Sequence, residues 1–155
     1  GYLWDEGEPK KAFEKAILNS NKVAMSLSDL FCVERHKAQF LELVKNKLDI
    51  IFANEQEILS LIESDSFDEA VTFLKNLNKN IVITRGEKGA IAINKGEIEE
   101  CAAEKNLNIA DLTGAGDLFA AGYLHGIINN LTTKESLIKG TELSSKIIQK
   151  IGARI

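Results

Sequence analysis

The sequence contains little proline, little cysteine and no long apolar run. Its 155 residues include one proline and two cysteines. Cys32 and Cys101 lie far apart and lack the spacing of metal ligands, so two buried thiols in a reducing cytoplasm are favoured over a disulfide. No apolar run is long enough to span a membrane, and no signal peptide is recognisable. The composition therefore predicts a cytoplasmic protein that does not bind membranes.

Basic residues are slightly fewer than acidic residues. Nineteen Lys and Arg stand against 23 Asp and Glu, which gives a net charge of −4. The basic residues form no stripe beyond short pairs such as Lys10–Lys11, so nucleic-acid binding is not expected. The P-loop pattern Gly-x-x-x-x-Gly-Lys-Ser/Thr is absent. The stretch from Gly114 to Phe119 lacks the third glycine of a dinucleotide fingerprint, which argues against a dinucleotide-dependent oxidoreductase.

Strand-like and helix-like segments alternate along most of the chain. Apolar periodicity predicts helices at 10–19, 32–45, 55–62, 67–77, 114–129 and 134–150. Short apolar or alternating runs predict strands at 22–28, 49–53, 80–84, 90–94 and 97–102. The alternation, interrupted by one hairpin, predicts a single domain over 1–155 with a three-layer α/β/α fold. Its sheet is expected to be mainly parallel with an antiparallel hairpin edge.

Three of the helices carry predictions about burial. The helix 32–45 is amphipathic, and its apolar residues include Phe40 and Leu41. The helix that follows Gly114 is apolar almost all round, so we expect it to be buried and rigid. In the last helix, the core face is predicted from Leu143, Ile147 and Ile151.

The strongest chemical feature is the segment Thr113-Gly-Ala-Gly-Asp117 at the start of an apolar helix. Small residues at a helix start let a ligand reach the backbone, where first-turn N–H groups and the helix dipole favour an anion. Asp117 at the same place can accept the proton of an attacking hydroxyl. Alternatively, the glycines form a plain N-cap and Asp117 only complements the helix dipole.

Two upstream segments also have a plain structural interpretation. Asn54 and Glu57 follow a strand at the start of a helix, where they can order water around Mg²⁺ that is bound mainly through phosphates. The same residues could instead form an N-cap with acidic residues in the first turn. The segment from Thr84 to Gly89 predicts a tight turn between two strands.

In this order and spacing, the three segments resemble the motifs of the ribokinase (PfkB-type) family. Asp111 to Asp117 is similar to the family's Asp-Thr-x-Gly-Ala-Gly-Asp, with Leu112 where many members have threonine. The two upstream segments are similar to its Asn-x-x-Glu and Thr-x-Gly-x-x-Gly motifs. The segments Tyr2–Asp5 and Ser26–Asp29 look most like the adenosine-kinase-like branch.

The resemblance implies a ribokinase-like fold and an ATP-dependent kinase. Such an enzyme moves the γ-phosphoryl group of ATP to a primary hydroxyl of a sugar or nucleoside of the adenosine or ribose class. Catalysis would then depend on an anion hole formed by Gly114, Ala115 and Gly116, with Asp117 as the catalytic base.

The same resemblance assigns the remaining site residues. Thr84, Gly86 and Gly89 would bind the nucleotide, and Asn54 and Glu57 would act on Mg²⁺ through water and phosphate. Residues near the adenine base would be Gly140, Thr141 and Ser144. A loop for a monovalent cation such as K⁺ would comprise Asp111 and Gly152–Ala153.

Members of the family extend well beyond this length, and their sugar-binding residues lie in the N-terminal half. The chain begins with Gly1 rather than Met, which fits a fragment, a cleaved product or a trimmed chain. The resemblance therefore implies a C-terminal portion that is inactive alone and needs the missing N-terminal half as its partner. A homodimer of full-length chains is a further candidate. The alternative is a non-catalytic nucleotide-binding module or regulatory half-protein.

Overall fold

The computed structural model describes residues 1–4 and 7–154. Asp5, which ends the first segment of the adenosine-kinase resemblance, lies outside them. The strands are β1 (Ala24–Ser26), β2 (Ile50–Asn54), β3 (Asn80–Thr84), β4 (Ala90–Asn94) and β5 (Glu97–Cys101). The α-helices are α1 (Gly7–Asn19), α2 (Leu30–Asn46), α3 (Glu55–Ile62), α4 (Phe67–Lys75), α5 (Ala115–Ile128) and α6 (Thr133–Ile147). Short 3₁₀ turns lie at Tyr2–Trp4 and Gly86–Lys88.

The strands form one mixed, mostly parallel sheet in the order β1-β2-β3-β4-β5, with helices on both sides. β1 and β2 are parallel, with Met25 opposite Ile51. Lys95 and Gly96, which join β4 to β5, have φ values of 52° and 83°. Two such residues in succession are typical of a tight hairpin turn. The predicted fold class is therefore confirmed.

The chain divides into two compact units. Unit 1 consists of Gly1–Ile83 and Ile93–Glu97, and unit 2 of Thr84–Ala92 and Ile98–Ile155. In unit 1, the side chains of β2 from Ile50 to Ala53 are all buried, as expected for a strand covered on both faces. Unit 1 also contains large side chains that are almost fully buried, among them Leu27, Phe40, Leu48, Ile51, Ile58, Leu61, Leu74, Ile81, Ile83 and Ile93.

Helix α2 buries a slightly different face from the one that its sequence pattern predicts. Phe40 is fully buried as expected, but Leu43 is buried where Leu41 was expected, and Leu41 is half-buried. The backbone at His36 leaves helical geometry, with φ −117° and ψ 19°. The buried residues Val33, Phe40, Leu43 and Val44 nevertheless keep the helical spacing across this kink. Leu43, three residues after Phe40, therefore belongs to the buried face, and Leu41 lies at its edge.

Helix α5 is buried on one face only. Its buried residues are Phe119, Gly122, Tyr123 and Gly126, whereas Ala121 and Ile128 are exposed. The expectation of a buried helix therefore holds for one face of α5 and not for the opposite face. Apolar residues on every side of a helix permit full burial, but only neighbouring elements can provide it.

Helix α6 ends earlier than its apolar pattern predicts. Ile147 is fully buried, Leu143 is half-buried and Ile151 is 90% exposed, so the assignment of Ile151 to the core face was wrong. The chain turns after Ile147, where the N–H of Lys150 donates to the Ile147 carbonyl. Residues beyond the turn no longer follow the helical period.

Both cysteines are free thiols, as expected, but only Cys32 is buried; Cys101 is half-buried. Over residues 1–4 and 7–154, no helix combines the length and the apolar character needed to cross a lipid bilayer.

Candidate functional site

The start of α5 depends on a glycine. Gly114 is the N-cap residue and has φ 82° and ψ 0°, in the left-handed region. A Cβ atom at this position would lie 2.9 Å from the Cβ of Ala153 and 3.2 Å from its Cα. Both the backbone conformation and the close neighbour therefore require a residue without a side chain.

Beyond Gly114, the first turn of α5 is open. A Cβ atom added to Gly116 would meet no heavy atom within 4 Å. The N–H groups of a first helical turn have no partner within the helix, and the helix dipole adds positive potential there. Asp117 lies in this turn and is exposed. The Ala115 N–H donates to the Leu112 carbonyl at 3.2 Å. The other N–H groups of this turn can donate to an anion, beside a carboxylate that can accept a proton.

Two other helices show what an acid at this position can do. Glu57 in α3 and Glu135 in α6 occupy the third helical position, as Asp117 does in α5. Each forms a reciprocal capping box with its N-cap side chain, Asn54 or Thr132. Gly114 has no side chain to offer. Within the described ranges, the carboxylate of Asp117 makes no hydrogen bond, so it is available to a ligand.

The loop after β3 also belongs to unit 2. Thr84 ends the strand, and the N–H of Arg85 donates to the Gly89 carbonyl at 2.8 Å. Between them, Gly86 to Lys88 form a single 3₁₀ turn. Gly86 and Gly89 have φ values of 57° and 89°, which glycine adopts without strain. The loop is thus a tight turn that exposes the backbone of Gly86, whereas Gly89 is buried.

Gly89 is constrained by a close approach as well as by its backbone. A Cβ atom at Gly89 would lie 2.8 Å from the nitrogen of Ala103 and 2.9 Å from the Cα of Ala102, closer than any real Cβ contact. At Gly86, by contrast, an added Cβ would meet open space. One glycine of the motif therefore serves packing, and the other leaves room on the outer side of the loop.

Asn54 and Glu57 hold each other at the start of α3. The Asn54 side-chain and backbone N–H groups donate to Oε1 and Oε2 of Glu57 at 2.7 and 3.0 Å, and the Glu57 N–H donates to Asn54 Oδ1 at 2.8 Å. Glu57 is only 4% exposed. Burial raises its pKa above the usual value, and the backbone hydrogen bond from Asn54 partly opposes that rise.

Asp29 is an acidic neighbour that the sequence prediction did not assign to the site. Asp29 lies shortly after the end of β1, and Asn54 is the last residue of β2. The negative charge of Asp29 contributes to the raised pKa of Glu57. Its carboxylate accepts from the Cys32 N–H at 2.7 Å and from the Tyr2 hydroxyl at 2.6 Å. A signal existed in the sequence, because parallel strands end at the same edge of a sheet and Asp29 closely follows a predicted strand.

A comparison with known protein families identifies the chain. The model described as "pfkB family carbohydrate kinase" matches residues 10–155. The chain belongs to the pfkB family.

Solved structures of similar proteins share both fold and sequence with this pfkB family member. Adenosine kinase from Sinorhizobium meliloti superposes with a TM-score of 0.94 at 36% identity, over 99% of this chain and 49% of that one. A probable sugar kinase from Rhizobium etli gives a TM-score of 0.94 at 35% identity, over 99% and 48%. A cytidine kinase from Thermococcus kodakarensis is 30% identical over 139 residues, 87% of this chain and 50% of that protein. The chain thus spans about half the length of these relatives.

In this pfkB chain, the predicted site residues divide between the two units. Thr84, Gly86, Gly89 and the segment Gly114–Asp117 lie in unit 2. Asn54 and Glu57 lie in unit 1.

The segment predicted near the adenine base is partly engaged in packing. A Cβ atom on Gly140 would lie 2.8 Å from the Phe119 carbonyl oxygen and 3.2 Å from its ring, so Gly140 is pressed against α5. The Thr141 hydroxyl lies 3.7 Å from Cys101 Sγ, and Ser144 is half-buried. This close contact with α5 is sufficient to explain a glycine at position 140, with no need for a bound ligand.

The residues near Glu57 fit an indirect role in metal binding. Over residues 1–4 and 7–154, no three His, Cys, Asp or Glu side chains come together to hold a metal ion. Both oxygens of Glu57 accept hydrogen bonds from Asn54, yet each retains lone-pair capacity for water. A divalent ion held mainly by phosphates, with water between it and the protein, suits this donor set.

Proposed function

We propose that this chain is the nucleotide-binding C-terminal portion, residues 1–155, of a sugar or nucleoside kinase. The complete protein would transfer the γ-phosphoryl group of ATP to a primary hydroxyl of an acceptor of the adenosine or ribose class. Membership of the pfkB family supports a kinase, and the kinases named among its relatives act on nucleosides and sugars. The complete protein would also supply the N-terminal half, which this chain does not include.

In this proposal, the start of α5 performs the chemistry. The backbone N–H groups of Gly114, Ala115 and Gly116 stabilise the charge that develops on the transferred phosphoryl group. Asp117 accepts the proton of the attacking hydroxyl. The observation that carries this assignment is that Asp117 has no capping partner, unlike Glu57 and Glu135 at the same helical position.

The other motifs bind the nucleotide. Thr84, Gly86 and Gly89 form the turn that binds ATP, and the exposed backbone of Gly86 is the part of it that is open to the nucleotide. A divalent ion such as Mg²⁺ would neutralise phosphate charge when bound. Asn54 and Glu57 orient water toward that ion from the start of α3.

The test is Asp117→Asn in the complete protein. The amide cannot accept a proton, so turnover should fall by roughly 10²- to 10⁴-fold. ATP binding should be nearly unchanged because the N–H groups of the turn remain. Steady-state kinetics with a panel of sugars and nucleosides, together with calorimetric ATP titration, would measure both effects and identify the acceptor.

Glu135→Gln is the matched control, because it alters an acid at the same position of another helix. Its carboxylate accepts from the Thr132 N–H and hydroxyl, at 2.8 and 2.7 Å. We expect this variant to keep its turnover. Near-normal turnover of the Asp117 variant, or an equal loss in both variants, would reject the proposed role of Asp117.

A second candidate function is a nucleotide-binding module without catalysis. The observation that favours it is that the chain spans only about half the length of its relatives. The reading frame upstream of Gly1 discriminates between the two. A continuous frame that encodes a pfkB-like N-terminal half supports the kinase, whereas a start codon immediately upstream supports the module.

A further inference from the structure

The segment after α6 returns to the loop before α5. The N–H groups of Ala110 and Asp111 both donate to the Ile148 carbonyl oxygen, at 2.8 and 3.2 Å. Farther along, the N–H of Gly152 donates to Oδ2 of Asp111 at 2.9 Å. Two segments that lie far apart in sequence are therefore joined next to the start of α5.

Asp111 binds its own loop through its other oxygen. Oδ1 accepts hydrogen bonds from the Thr113 N–H at 2.9 Å and from the Thr113 hydroxyl at 2.7 Å. The backbone N–H groups of Thr113 and Gly152, followed by the Thr113 hydroxyl, hold the pKa of Asp111 below its usual range. The side chain is thus a carboxylate with three donors, and we call these three hydrogen bonds the Asp111 clasp.

The clasp lies directly beside Gly114. The residue after Gly152 is Ala153, whose Cβ would be only 2.9 Å from a Cβ on Gly114. Gly114 is in turn the left-handed N-cap of α5. One end of the clasp therefore holds Thr113, the neighbour of Gly114 in sequence. The other end holds Gly152, the neighbour of the residue that packs against Gly114.

We propose that Asp111 is a positioning residue that fixes the orientation of the first N–H groups of α5 by clasping Thr113 to Gly152. The inference rests on the proposed function for its catalytic consequence. N–H groups that stabilise a transition state must be aimed before the reaction, and a small misplacement can cost up to about 100-fold in rate. The clasp restricts the movement of the loop before α5, because Asp111 is bonded both to Thr113 and to Gly152.

Asp111→Asn tests the clasp in the complete protein. An asparagine oxygen can still accept from Thr113, but its NH₂ group then faces the Gly152 N–H. Two donors cannot bond to each other, so the hydrogen bond with Gly152 is lost. We expect kcat to fall by up to about 100-fold with little change in the KM for ATP. Thr113→Val removes only the hydroxyl donor and should have a smaller effect. Asp68→Asn, at an exposed acid in the first turn of α4, is the matched control and should leave turnover unchanged.

A second measurement does not depend on catalysis. Nuclear magnetic resonance of protein with labelled glycine would follow the backbone N–H signals of Gly114, Gly116 and Gly152. Asp111→Asn should shift all three signals, whereas the control should leave them in place. Unchanged signals of Gly114 and Gly116 would overturn the clasp. Full turnover of Asp117→Asn would reject the proposed function. The glycine N–H signals would still test whether Asp111 positions the start of α5, because they do not depend on turnover.

A change of salt in the assay distinguishes the clasp from a second role of Asp111, in which its carboxylate binds a cation. Turnover of the parent protein and of Asp111→Asn should be compared in KCl and in tetramethylammonium chloride. The clasp requires the same loss in both salts, because its partners are N–H and hydroxyl groups of the chain. A loss that occurs in KCl alone would assign Asp111 to cation binding and overturn the clasp.

Discussion

At the scale of single residues, Tyr2 and Asp29 show how a hydrogen bond changes ionisation at the surface of unit 1. The Tyr2 hydroxyl donates to Oδ2 of Asp29 at 2.6 Å, although Tyr2 is 65% exposed. That hydrogen bond raises the pKa of Tyr2 to about 12 and lowers the pKa of Asp29. Only the neutral phenol can donate, and only the carboxylate accepts at full strength.

The sign of the pH effect follows from these two shifts. Stability from this hydrogen bond is fully present below the ordinary tyrosine pKa of 10.0 and is lost as the pH rises toward about 12. On the acid side, it is present above the ordinary aspartate pKa of 3.8 and is lost as the pH falls through the lowered value.

We expect the Cζ carbon resonance of Tyr2 to titrate near pH 12, and near 10.0 in Asp29→Ala. Asp29→Asn keeps an acceptor but removes the charge, so its midpoint should lie between the two. Tyr123, which is fully buried, gives a separate resonance. A Tyr2 midpoint that ignores the residue at position 29 would contradict the hydrogen bond.

At the scale of secondary-structure elements, α5 and α6 pack unusually closely within unit 2. Gly126 faces Ser136, and a Cβ on Gly126 would lie 2.8 Å from the Ser136 Cα. Gly122 faces the Lys139 carbonyl in the same way, with 2.7 Å to the carbonyl carbon. Glycine normally destabilises a helix interior, so its use here is explained by the short distance between the helices.

Gly126→Ala should therefore destabilise the protein by about 1–3 kcal/mol through overpacking. Gly116→Ala in the same helix is the control, because its Cβ would meet open space. The control should be neutral or more stable by up to about 1 kcal/mol, since alanine is the better helix former. Denaturant unfolding of both variants measures the difference. Equal effects of the two substitutions would show that the helices do not pack as described.

At the scale of the whole molecule, the chain contains about half the length of its relatives. In the proposed function, the base and anion hole lie in unit 2, whereas the residues that hold the acceptor belong to the N-terminal half of the complete protein. A base without a positioned hydroxyl cannot contribute the rate that proximity provides.

We expect this chain alone to bind ATP but to transfer no phosphoryl group to any sugar or nucleoside. Coexpression with its N-terminal half, or expression as one continuous chain, should restore transfer. Radiometric assays of the three preparations would measure this, with circular dichroism as a check on folding. Transfer by the isolated chain at the rate of the complete protein would contradict the division of the site.

The sequence predicted most of the secondary structure and the fold class. Strand and helix periods are local properties, and the residues at 55–62, 80–84 and 90–94 coincide with the elements of the structure. The exceptions lie where the edge of a buried face or the end of a helix decides burial. In α2, Leu43 is buried and Leu41 only half-buried, and the turn after Ile147 leaves Ile151 exposed.

For the candidate site, the three ordered motifs are short and could be recognised without coordinates. The capping role of Asn54 and Glu57 was also an explicit alternative, because third-position acids follow N-cap residues at a fixed spacing. The structure added the geometry around them: the left-handed Gly114, the burial of Glu57 and the nearby charge of Asp29.

By itself, the sequence determined the family, the order of strands and helices, and the candidate residues at each loop, since all of these depend on near neighbours in the chain. Only the tertiary structure decided which of the third-position acids Glu57, Asp117 and Glu135 lacks a capping partner. It also decided which glycines are required by close packing. It also brought Asp111 to Gly152, 41 positions apart. The physical reason is that hydrogen bonds and van der Waals contacts depend on distance in space, and folding sets that distance for residues far apart in sequence.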